Sequence, residues 1–73
     1  MKYYLLDTSI NKDGTNAQGV FIHDDLKSAL IAFHDTISYK MKTDTVASAL
    51  VMVVNEMGGI EKSEKYIAAE ETE

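Results

Sequence analysis

Two short segments hold both imidazoles of the chain, each beside a carboxylate. In His23-Asp24-Asp25 an imidazole adjoins two carboxylates, which are donor types of a divalent-metal or acid–base site. The same carboxylates directly precede an apolar helical pattern, where Asp accepts hydrogen bonds from the first backbone N–H groups. Capping, with Asp24 as the N-cap, is the simpler interpretation, and it predicts no metal site here.

His34-Asp35 lies within the helical pattern, beside Phe33, and could supply a general base in a cleft. No nucleophile or orienting partner can be identified for it, so a boundary position bonded to backbone or water is the better interpretation. Gly58-Gly59 lacks the spaced glycines and the Lys-Ser/Thr pair of a phosphate-binding loop, and it predicts a turn. We therefore predict a protein that is not an enzyme and needs no cofactor and no metal.

Composition separates the chain from nucleic-acid-binding proteins. The net charge is −5, and the seven basic residues are all lysines scattered along the sequence. Arg, which makes bidentate contacts to guanine and phosphate, is absent, and no lysine cluster forms a phosphate track. No run approaches the roughly 20 apolar residues of a membrane-spanning helix, and Met1 begins no signal-peptide pattern. These features predict a cytoplasmic protein that binds neither nucleic acid nor membrane.

The beginning of the chain predicts a β-hairpin. Residues 2–10 and 17–23 are rich in aromatic and branched side chains, which favour strands. Between them, Asn11-Lys12-Asp13-Gly14 contains the Asp-Gly pair of a tight turn. We expect the two strands to pair antiparallel.

A helix from about Asp25 to Lys42 is the strongest local signal. Lys40 and Lys42 lie at its carbonyl end, where positive charge is favourable. Apolar residues recur there at spacings of three and four, which places them on one helical face: Leu26, Ala29, Leu30, Phe33, Ile37 and Met41.

The second half predicts two more strands. Residues 45–55 are apolar on both alternating faces, as in a central strand, and the β-branched run favours this over a buried helix. Residues 60–67 carry central Lys and Glu, which suits an edge strand. The fold class is therefore α+β, ββαββ, with residues 1–67 as a single domain. Two hairpins form a four-stranded antiparallel sheet, one helix packs on one face, and residues 68–73 form a frayed acidic tail.

Three segments are distinctive when taken together: Tyr3-Tyr4-Leu5-Leu6 with Lys12-Asp13-Gly14; Ala29, Phe33 and His34; and residues 50–58 with Lys65-Tyr66. In that order they resemble very small proteins of unknown function encoded by phages and prophages of gut Firmicutes. The resemblance implies a phage or prophage accessory protein, made in the interior of the host cell, with virion association possible. It assigns no functional residue.

The remaining apolar residues predict an interaction surface, because one helix can cover only one face of such a sheet. A large exposed apolar patch usually marks an interaction site, and two-fold homodimers are the commonest assembly. Self-association would also add burial to a chain of 73 residues without Cys. The predicted contact residues are Tyr4, Leu6, Val51 and Val53, or their alternates on the opposite pleat if the register differs by one.

The preferred functional hypothesis is a non-enzymatic protein that acts through protein–protein contact. Its partner is itself, in a homodimer or higher oligomer, with another phage or host protein as a further possibility. The alternative is an acidic inhibitor of a host defence or nucleic-acid enzyme, with carboxylates placed where phosphates would lie. Three of the twelve acidic residues occupy the last four positions, and the others are interspersed with Lys. Such a mixed-sign surface is typical of solubility alone.

Overall fold

The computed structural model describes residues 1–68, which form four strands and one helix in the order ββαββ. All strands pair antiparallel in one sheet, with β1 and β3 in the centre and β2 and β4 at the edges. The predicted α+β architecture is confirmed. The elements are β1 (Tyr3–Asn11), β2 (Asn16–His23), α1 (Leu26–Lys42), β3 (Val46–Asn55) and β4 (Ile60–Ile67).

The predicted acidic tail lies outside the described residues except for its first member. The N–H of Ala68 donates to the carbonyl of Ala47 at 2.8 Å, which continues the β3–β4 pairing by one step.

Both hairpins close with a three-residue loop that ends in a left-handed glycine. In the first, the N–H of Asn11 donates to the Thr15 carbonyl at 2.8 Å, and Gly14 has φ 92°. The Asp13 carboxylate accepts from the Thr15 hydroxyl at 2.7 Å and the Thr15 N–H at 2.9 Å. These bonds lower the pKa of Asp13. The second loop repeats the geometry with Gly58, also at φ 92°. Glycine is favoured at both positions, because L side chains rarely adopt this conformation.

The helix begins at Leu26, and its N-cap is Asp25, whose carboxylate accepts the Ser28 N–H at 2.7 Å. The prediction of Asp24 as the cap is therefore wrong by one residue. Asp24 instead forms an ion pair with Lys2 across the end of the sheet. At the other end the hydroxyl of Thr43 donates to a carbonyl of the last turn.

The core lies between α1 and the two central strands. Its buried side chains come from both layers: Leu5, Val51 and Val53 of the sheet, and Ala29 and Phe33 of the helix. Leu5 and Val53 are directly paired across β1 and β3, so both lie beneath the helix.

The apolar stripe of the helix departs from the prediction in its last turn. Lys40 is buried, whereas Met41 is 59 % exposed. At about 100° per residue, Lys40 lies only about 20° from the direction of buried Phe33, but Met41 lies about 80° from it. A lysine therefore occupies the final core-facing position of the helix.

Candidate functional site

The face of the sheet opposite the helix is apolar across all four strands, and we call it the open face. Its members follow from the register, because side chains of directly opposed residues share a face. One row runs across the sheet through Ile22, Tyr4, Val54 and Ile60. The apolar members of this face within the described strands are Tyr4, Leu6, Ile10, Val20, Ile22, Leu50, Met52, Val54, Ile60 and Ile67.

The outer members of the open face are the most accessible. Val20 and Ile22 on β2 are each 63 % exposed, and Ile60 on β4 is 62 % exposed. Leu6 and Met52, on the central strands, are half-buried by their neighbours. A shallow depression of about 510 Å³ lies on this face between β1 and β2. The open face is thus an exposed apolar surface, continuous from one sheet edge to the other.

Charge is nearly absent from the open face, although the chain carries a net charge of −5. Within the described strands, the register places no carboxylate there, and Lys65, opposite Leu50, is its charged residue. A polar rim borders one end. There Lys2 forms an ion pair with Asp24, and its backbone N–H contacts the Glu56 carboxylate. The Lys2 ammonium lowers the pKa of Asp24, and Asp24 raises the pKa of Lys2.

The structure divides the four predicted contact residues between the two faces. Tyr4 and Leu6 lie on the open face, as expected. Val51 and Val53 lie beneath the helix with 0 % exposure, so they are core residues. Their place on the open face is taken by the alternates of the opposite pleat: Leu50, Met52 and Val54.

The histidine segments do not come together. His23 ends β2, and its Nε2 is buried without a hydrogen-bond partner among the described residues. His34 is on the helix and meets the ring of Phe33 edge-on, with centroids 5.3 Å apart. Within residues 1–68, no group of three or more His, Cys, Asp or Glu side chains is placed to hold a metal ion. In the same residues, no helix has the length and apolar character needed to cross a membrane.

A polar cluster beneath the helix was not predicted. The Lys40 ammonium lies 3.4 Å from Asp7 Oδ1 and 3.4 Å from Ser9 Oγ. At that distance the contact with Asp7 is an ion pair rather than a hydrogen bond, and Oδ1 has no other partner among the described residues. The alternation Tyr3, Leu5, Asp7, Ser9 contains the signal, since all four share one pleat of β1.

The fold and the open face define a class of small α+β protein whose one sheet is covered by a helix on one side only. No family model, curated protein or solved structure matches the chain.

Proposed function

We propose that this chain is a non-enzymatic protein that acts through protein–protein contact and associates with itself through the open face. The observation that supports the proposal is a four-stranded apolar surface with exposed residues such as Val20 and Ile60 and without carboxylates in the described strands. Strands lie about 4.8 Å apart and rise about 3.4 Å per residue, so the face measures about 19 Å by about 27 Å. The whole face therefore covers ~500 Å², and its apolar members occupy much of it; apolar patches of a few hundred Å² are often functional on soluble proteins.

A second copy is the occupant that this surface suits best. A two-fold contact places the same patch on both sides, so a carboxylate near the axis would meet its own copy, and one elsewhere on the patch would lose its contact with water. The open face avoids this repulsion, because the carboxylates of the described strands lie elsewhere. The ion pair of Lys2 and Asp24 places charge at one end of the apolar centre, and many interfaces have such a polar rim.

The resemblance to phage and prophage proteins supports a setting for this activity. We propose an accessory role in the interior of the host cell, in which the assembled protein presents its helical side to a further phage or host protein.

A second candidate, an acidic inhibitor of a host defence or nucleic-acid enzyme, has less support. Several carboxylates already have partners within the chain: Asp24 with Lys2, Asp7 with Lys40, and Asp25 with the first helical turn. Carboxylates used in this way are less available to imitate a row of phosphates.

The proposal is tested with a charge placed on the open face. Leu50→Glu should halve the mass measured by light scattering on a sizing column, because it buries a carboxylate in the contact. Each chain should stay folded, since the new carboxylate lies opposite Lys65. Ile31→Glu is the matched control: Ile31 is on the helix and 55 % exposed, so the same change there should leave the mass unchanged.

The salt dependence of association distinguishes the two proposed functions. An apolar contact should give the wild type the same mass at low and high salt, whereas an acidic surface would bind in a salt-sensitive way. A wild-type monomer under both conditions, or equal masses for wild type and Leu50→Glu, would contradict self-association through the open face.

A further inference from the structure

The two edges of the sheet differ sharply in charge. The β4 edge carries Glu61, Lys62, Glu64 and Lys65, a pattern that protects an exposed strand from pairing with another chain. The β2 edge, NAQGVFIH, has no Asp, Glu, Lys or Arg along its eight residues. It therefore lacks the charges that protect the opposite edge.

The backbone of β2 has free hydrogen-bonding groups that point away from the sheet. Asn11 donates to Thr15 of the first hairpin, so odd-numbered residues of β1 bond to β2. The backbone N–H of Lys12 donates to the Thr45 carbonyl, which shows that the even-numbered residues of β1 form their backbone hydrogen bonds with β3. Hydrogen-bonded and non-bonded pairs alternate along an antiparallel ladder. Gln18 and Val20 lie opposite the even-numbered residues Thr8 and Leu6, so they form non-bonded pairs with β1 and direct their N–H and C=O groups outward.

The side chains of β2 give independent evidence for a neighbour at this edge. Val20, Phe21 and Ile22 are consecutive and are 63 %, 52 % and 63 % exposed. Consecutive strand residues lie on opposite faces, so a partner on the open face would leave Phe21 in water. The Phe21 ring lies along the strand, 3.1 Å from where a Cβ on Gly19 would be. A strand placed beside β2 would contact all three apolar side chains.

We propose that β2 is a second association surface, which pairs antiparallel with β2 of a second copy around a two-fold axis normal to the sheet. The pairing joins two four-stranded sheets into one of eight strands. The two edges meet without like charges, although each chain carries a net charge of −5. This axis keeps both helices on the same side, so the two open faces become one continuous surface. The edge pairing is independent of contact through the open face, and the two together produce a four-chain assembly.

Amide hydrogen exchange tests the edge directly in the unmodified protein. The outward N–H groups of Gln18, Val20 and Ile22 have no hydrogen-bond acceptor among residues 1–68 of the same chain, so strand pairing should slow their exchange by on the order of a hundredfold. Dilution should remove this protection. The control is Ser63, opposite Met52 on β4, whose N–H points outward from the other edge and should exchange quickly at all concentrations. Fast exchange at Gln18, Val20 and Ile22 at high concentration would overturn the proposal.

A matched pair of proline variants tests the same edge by mass. Gln18→Pro removes one outward N–H without removing a β1–β2 hydrogen bond, and the ring obstructs an incoming strand. We expect it to halve the solution mass. Ser63→Pro makes the same change on β4, where Ser63, like Gln18, lies on the open face, and it should leave the mass unchanged. Equal masses for Gln18→Pro and the wild type would overturn edge pairing.

Combination with Leu50→Glu distinguishes the edge from the open face. If both surfaces associate, each single variant gives a two-chain species and the double variant Gln18→Pro/Leu50→Glu gives a monomer. A monomeric Leu50→Glu protein with fast exchange at Val20 would overturn edge pairing and leave the open face intact. A wild-type dimer that loses association with Gln18→Pro but not with Leu50→Glu would support the edge and contradict the open face.

Discussion

At the residue scale, the ion pair between Asp7 and Lys40 is the least expected feature of the molecule. The two side chains retain only 19 % and 10 % exposure, and Ser9 is the other polar group beside the ammonium. Removing charges this far from water has a cost that the ion pair only partly offsets. We therefore infer that the pair specifies the position of the helix on the sheet more than it adds to the free energy of unfolding.

This interpretation makes a prediction about single and paired substitutions. Asp7→Leu should lower the free energy of unfolding by about 3–5 kcal/mol, because it leaves the Lys40 ammonium buried without its carboxylate. The double variant Asp7→Leu/Lys40→Met should recover most of this loss, since it replaces both charges with apolar groups. Urea unfolding of the three proteins gives the comparison. Equal losses in the single and double variants would show that the pair does not act as a unit.

At the element scale, the Asp25 cap makes the contribution of the first helical turn to folding stability depend on pH. Its hydrogen bond from the Ser28 N–H holds the pKa of Asp25 below the ordinary 3.8. A carboxyl with a depressed pKa in the folded state stabilises the fold above its unfolded pKa, and the stabilisation is lost as pH falls through the folded value. Asp25→Ala should lower the melting temperature at neutral pH.

The matched control for that prediction is Asp25→Asn, which keeps a capping oxygen and removes the titration. Its melting temperature should lie close to that of the wild type at neutral pH. Below about pH 3.8 the wild type should lose stability relative to Asp25→Asn, because the Asp25 carboxyl binds a proton more readily in the unfolded chain than in the fold, and Asn has no such group. Parallel pH–melting curves for the two proteins would argue against a role for the Asp25 charge.

Local patterns explain why the elements could be predicted from the sequence and their mutual arrangement could not. The Asp13-Gly14 turn and the stripe through Ala29 and Phe33 are encoded by neighbouring residues, and both are observed. Neighbouring residues do not encode which pleat of β3 lies beneath the helix, because Val51 and Met52 are similarly apolar and only packing decides between them. The burial of Lys40 could not be predicted from local sequence either. A charge at a helix end is expected in solvent, and the partner that Lys40 has beneath the helix, Asp7, is distant in sequence.

At the scale of the whole molecule, the described carboxylates are distributed unevenly over the surface. The described carboxylates lie on the helical side, at the loops or at the rim, whereas the paired residues of the open face and the β2 strand carry none. The buried core is small, with Leu5, Phe33 and Val53 among its few members. A single chain of this size buries a limited fraction of its surface. The apolar surface left outside is thus the largest available source of further stability.

Association and folding should therefore be coupled in this protein. If the folded chain associates and the unfolded chain does not, mass action raises the melting temperature with protein concentration. We expect the wild type to melt at a higher temperature over a hundredfold rise in concentration, as followed by circular dichroism. Gln18→Pro/Leu50→Glu should melt lower and at a temperature independent of concentration, because it has neither contact. A wild-type melting temperature that does not change with concentration would mean that the core of the single chain is sufficient, and that the open face and the β2 edge do not contribute to folding stability.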